Sequence, residues 1–147
     1  MRKIIFILLL LASGGVCASV EEQMEKHLAW LISKTGYKLS TERPIIAYAE
    51  PAVISAIAGG NPDVIAVYPG GGVIVLPFAF LKDPKEYILV HELVHFLQDV
   101  NGVKLPCVEA YEKEAYELTN EWIKEFKPEG VKPTDAVTIF IRSLCVR

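Results

Sequence analysis

Five residues constrain this chain more than any others: His91-Glu92-Leu93-Val94-His95. The residues around them are apolar on several faces (Tyr87, Ile88, Leu89, Val90, Phe96, Leu97), which predicts a buried helix. On a helix, residues four apart share a face, so both imidazoles project together about one turn apart. That geometry suits a single Zn²⁺, with Glu92 placed as general base toward a metal-bound water. The plain alternative is a core helix with two surface histidines. Two histidines and a glutamate buried together need partners, however, and a metal supplies one.

A hydrolytic zinc site takes three protein ligands and leaves one position open. No histidine follows His95. The next helical stretch, 107–126, offers Glu109, Glu112, Glu114, Glu117 and Glu121. If the two helices pair antiparallel through the 101–106 connection, Glu112 comes level with His95. Glu109 then lies about 4.5 Å nearer the connection. Glu114, two residues from Glu112, is expected to project from the opposite side. Glu112 is the expected third ligand and Glu109 the reserve.

The stretch from Tyr87 to Gln98, followed by Glu112-Lys-Glu-Ala-Tyr116, resembles the gluzincin metallopeptidases, above all their minimal single-domain members. The resemblance covers roughly residues 73–122. It implies a zincin-like fold, zinc held by His91, His95 and Glu112, and Ala115 as the alanine of an E-x-x-A-D pattern. Tyr116 stands where that pattern has aspartate, which in the family steadies a zinc-bound histidine. The Tyr116 hydroxyl could do that work or polarise a substrate carbonyl; the alternative is a packed tyrosine. The family also implies that the strand before the motif helix lines the cleft. Here that is 73–76, either a free edge for an extended peptide or an ordinary sheet strand.

The rest of the chain reads as one α+β domain. Residues 21–34 have helical spacing and end at Gly36. Residues 45–49 form a short strand, and Pro51 opens a short helix to residue 57. Runs 64–68 and 73–76 flank Pro69-Gly70-Gly71-Gly72 and predict a hairpin, since the glycines lack the Lys-Ser/Thr ending of a phosphate loop. Asp83 as N-cap, Pro84 and Glu86 predict the start of the motif helix, and Asn101-Gly102 its end. A last helix is expected over 134–145, with Val137, Phe140, Ile141 and Leu144 on one face. His27 lies on or beside the apolar face of the first helix, where a packed or surface histidine is expected rather than a ligand.

Residues 1–18 read as a secretory signal: Arg2 and Lys3, an apolar core over 4–12, then Val16-Cys17-Ala18. The apolar core is short for a membrane span. Cleavage after Ala18 leaves a single domain, 19–147, secreted or periplasmic. A lipoprotein acylated at Cys17 is the lesser alternative. Losing Arg2 and Lys3 moves the formal charge from −3 to −5, which gives no footprint for nucleic acid. Cys107 and Cys145 remain, and an oxidising compartment favours a disulfide over a pair of soft metal ligands.

Together these features predict a secreted zinc-dependent metallohydrolase, foremost a peptidase, acting on peptide or protein. A catalytically inactive zinc-bound scaffold or peptide-binding domain is the main rival. A third option is an immunity or inhibitor-like protein in which the motif is incidental.

Overall fold

The computed structural model describes residues 19–39 and 41–145, so the expected signal segment and Cys17 lie outside the described residues. The fold is α+β: five α-helices and a two-stranded parallel sheet. Helix α1 (Val20–Thr35) starts on a capping box, with Glu22 N–H donating to Ser19 Oγ and Ser19 N–H to the Glu22 carboxylate. It ends at Gly36, left-handed at φ 72°. Strand β1 (Ile45–Ala49) and helix α2 (Pro51–Ile57) follow, as expected.

The expected hairpin is not what forms. Strand β2 (Val73–Pro77) pairs parallel to β1, Ile45 opposite Val73 through Ala49 opposite Pro77. Only Val67 of the 64–68 run reaches β2, through a two-bond antiparallel bridge to Val75. The physical reason is in the residues. Ile74, Val75 and Leu76 are all buried, so β2 is apolar on both faces and seeks an interior place. The helix and loop between 50 and 72 are long enough for a parallel crossover. The 64–68 run is followed by Pro69, which has no N–H to extend a ladder. β2 is therefore flanked on both sides at Val75, so of the two expectations for this run it is the ordinary sheet strand and not the free edge.

A 3₁₀ turn (Phe78–Leu81) leads to α3 (Glu86–Val100), the motif helix. Its expected Asp83 cap and Glu86 box do not form. Asp83 N–H closes the 3₁₀ turn on Ala79 O, and its carboxylate pairs with Lys85 at 2.9 Å. Lys85 occupies the cap position, and the Glu86 carboxylate turns instead to His27 on α1. At the far end, Asn101 Nδ2 donates to Leu97 O and to Lys38 O. α3 is the centre of the core: Leu89, Val90, Leu93, Val94 and Leu97 are fully buried against α1, β2 and α4.

Helix α4 (Ala110–Phe126) begins later than the expected Cys107 and stops at left-handed Lys127, φ 49°, before Pro128. Cys107 is held outside the helix by its disulfide to Cys145. Helix α5 (Ala136–Arg142) is shorter than 134–145, because Asp135 caps it and the chain leaves it near Ser143. Its predicted apolar face turns outward: Val137, Phe140, Ile141 and Leu144 are exposed, and Ile139 on the other side is the residue that packs.

Candidate metal centre

The middle of α3 presents His91 and His95 side by side, ring centres 5.0 Å apart, on the face toward α4. Across from them, Glu112 Oε2 lies 3.1 Å from His91 Nε2, and Oε1 lies 3.3 Å from His95 Nε2. Ligand atoms of the three residues all fall within 4.8 Å of one another. Tetrahedral zinc bonds of about 2.0–2.1 Å place neighbouring ligand atoms about 3.4 Å apart; the two imidazole–carboxylate distances are close to that, and two imidazoles with a carboxylate are a donor set that suits zinc. The antiparallel register of α3 and α4 thus brings Glu112, not Glu109, to the histidines. Glu109 is exposed at the start of α4 and outside this cluster. Tyr111 helps set the register, since its hydroxyl donates to Val103 O and accepts from Leu105 N–H in the connection.

The charges at the centre are mutually supporting. Burial alone would raise the Glu112 carboxyl, but hydrogen bonds from His91 and His95 outweigh it and hold the group well below the usual carboxylate range. Burial disfavours the His95 cation, yet Glu112 and the Glu92 charge raise its pKa overall. Glu92 is almost wholly buried, and burial pushes its carboxyl up against the opposing pull of His91 and His95. The backbone of Tyr68, in the loop beside β2, favours its charged form by a smaller amount.

Behind His95 stands a part-buried polar chain, with Gln98 buried at its centre. His95 Nδ1 and Gln98 Oε1 are 3.0 Å apart. Gln98 Nε2 donates to Glu114 Oε2 at 2.9 Å and to Tyr111 O at 3.2 Å. The Tyr37 hydroxyl donates to Glu114 as well, and burial with that contact lifts its pKa to about 12. The amide of Gln98 is thus oriented by its donors, so its oxygen faces His95 and holds a neutral ring's proton on Nδ1. Nε2 is then left to ligate.

Sequence reasoning missed Gln98, Tyr37 and Arg142, and expected Glu114 to point away. On α4, Glu112 and Glu114 flank the buried Ala115, Leu118 and Trp122 stripe from opposite sides. About 100° per residue puts them at the two margins of one inward face, so both reach α3. The His95–Gln98 spacing of three on one helix was the available signal.

Tyr116, one turn beyond Glu112, sets its ring edge-on to His91 with centres 4.7 Å apart. Its hydroxyl accepts from Arg142 Nη1 at 2.5 Å. Burial raises the Tyr116 pKa, while Arg142 opposes that shift. The ring, not the hydroxyl, meets the histidine. Cys107–Cys145, with Cα atoms 5.7 Å apart, ties the segment after α5 to the segment before α4.

His27 is fully buried and stands apart from this cluster. Its ring is edge-on to Trp122, and Nε2 lies 2.8 Å from Glu86 Oε2, an electrostatic contact rather than a directed hydrogen bond. Two surface hollows, one around Ile65, Phe80 and Tyr87 and one between α4 and α5, include none of the three cluster residues.

A family model described as a domain of unknown function, DUF6647, matches residues 17–147. The chain belongs to that family. No curated protein and no solved structure matches it. No described helix is long and apolar enough to cross a membrane.

Proposed function

We propose that this chain is a secreted zinc-dependent hydrolase, a minimal gluzincin-like peptidase. The observation that carries the proposal is the meeting of His91, His95 and Glu112 in one cluster, beside a buried Glu92. His91, His95 and Glu112 would hold the metal, which when bound supplies Lewis acidity and a water of lowered pKa. Glu92 takes a proton from the attacking water and returns it to the leaving amine nitrogen. Its burial limits the positions the carboxyl can take through that exchange. Gln98 holds His95 in the ligating tautomer. The signal segment and the Cys107–Cys145 bridge support an exported, oxidising location.

The second reading, a zinc-bound scaffold without turnover, draws on the two surface hollows, neither of which includes the cluster residues. Incubation with a diverse peptide pool separates the two. The peptidase reading expects cleavage that a chelator abolishes and that Glu92→Gln lowers by about 10²–10⁴-fold with zinc retained. Zinc bound without cleavage in the wild type selects the scaffold. Cleavage that survives in Glu92→Gln rules out Glu92 as the base.

A further inference from the structure

Arg142 closes α5 and reaches toward the metal cluster through Tyr116, which stands between it and His91, and Arg142 has no part in the hydrolytic mechanism. Its guanidinium carbon lies 5.6 Å from the centre of the Tyr116 ring, and one of its N–H groups is spent on the Tyr116 hydroxyl. Tyr116 in turn leans on His91 and feels the charges of Glu112 and Glu92. Arg142 is exposed, and among the described residues no carboxylate stands at ion-pair distance from it. The acids nearest Tyr116 in sequence on α4 are committed elsewhere, Glu117 to Lys113 at 2.5 Å, Glu114 to Tyr37 and Gln98, and Glu112 to the two histidines. Three residues on, Cys145 is bridged to Cys107, so the end of α5 is anchored to the chain that leads into α4.

A guanidinium has five donors in a planar fork that matches a carboxylate. Here one donor fixes the group to Tyr116 and the others remain for a ligand. We propose that Arg142 is a specificity-determining residue that binds a carboxylate of the substrate next to the scissile bond. The proposal rests on the hydrolase reading for the meaning of "substrate", but the binding itself does not require turnover. Two sources share this chemistry, the C-terminal carboxylate of a short peptide and an acidic side chain within a longer one.

Binding is read with zinc-loaded Glu92→Gln protein, so that peptides stay intact. The probes are three mixed-sequence hexapeptide libraries. One lacks Asp and Glu and ends in a free carboxylate. The second is the same library as C-terminal amides. The third is an amide library with one internal Glu. The expected result is retention of a carboxylate-bearing library about tenfold above the plain amides. Preference for the free-acid library identifies the chain terminus, and preference for the Glu library identifies the side chain. Arg142→Gln should erase the preference with zinc content unchanged, and Arg142→Lys should restore part of it. Equal retention of all three libraries, no retention of any, or a preference that survives Arg142→Gln overturns the proposal. Carboxylate preference without peptide cleavage by the wild type would leave Arg142 as a binding residue and remove the peptidase reading instead.

Discussion

His91 and His95 sit one turn apart on the same helix, yet the protein holds them in opposite ways. His95 is backed by a part-buried polar chain, Gln98, Glu114 and Tyr37, in which each donor has an acceptor. His91 is backed by the ring of Tyr116, whose hydroxyl leads outward to exposed Arg142. The first arrangement fixes a tautomer and a direction, as a metal ligand requires. The second is looser and ends in a free cation. On the proposed reading the difference separates two tasks around one cluster: the Gln98 side would hold the centre together, and the Arg142 side would face what arrives at it.

The largest way to break that contrast is to cut the tether on the outer side. Replacing Cys107 and Cys145 by serine releases a loop spanning 38 residues. The chain-entropy model puts the loss at about 4 kcal/mol of unfolding free energy, measurable by urea denaturation. Folded protein should still bind zinc, because the polar chain behind His95 does not depend on the bridge. Loss of zinc from folded double variant would show that the two sides are not separable.

A smaller effect sharpens the inner side. Gln98→Leu keeps the volume and removes the acceptor for His95 Nδ1 and the donor to Glu114. Zinc affinity, titrated against a competing chelator, should fall about 10–100-fold. Tyr116→Phe is the matching change on the outer side and should leave zinc affinity within about a factor of two, since only the ring meets His91. Equal losses in both variants would erase the distinction.

The smallest effect lies outside both sides and serves as their reference. Burial lowers the pKa of His27 from its ordinary 6.5, with Lys26 adding to the shift and Glu86 opposing it. The unfolded chain therefore takes up this proton first. Stability from the neutral ring is intact above about pH 6.5 and is lost as pH falls through that value toward the lower folded pKa. Denaturation curves from pH 7.5 to 5 should show this decline, and His27→Gln should flatten it. A slope unchanged by the substitution would assign the acid sensitivity to other groups.

Much of the site was legible because it depends on helical period. His91, His95 and Glu112 follow from four-residue spacing and from two helices paired through a short connection. The disulfide agrees with the cysteine count and the expectation of an oxidising compartment. What was not legible depends on partners distant in sequence. The 73–77 run chose β1 over its neighbour because both its faces are buried, which alternation within a short apolar run cannot reveal. The Asp83-Pro84-Glu86 signal failed because Glu86 found His27 on another helix. Val137, Phe140, Ile141 and Leu144 gave the helical period correctly but not the direction in which their face would turn. Arg142 left no pattern at all, since its contact with Tyr116 joins two helices distant in sequence.

The central claim is that His91, His95 and Glu112 form one zinc site. Zinc stoichiometry of purified wild-type and Glu112→Ala protein tests it most directly, with circular dichroism confirming that the variant is folded. The account predicts one zinc per wild-type chain and loss of stoichiometric zinc from folded Glu112→Ala. A wild type that takes up no zinc, or a variant that keeps its full complement, would contradict it.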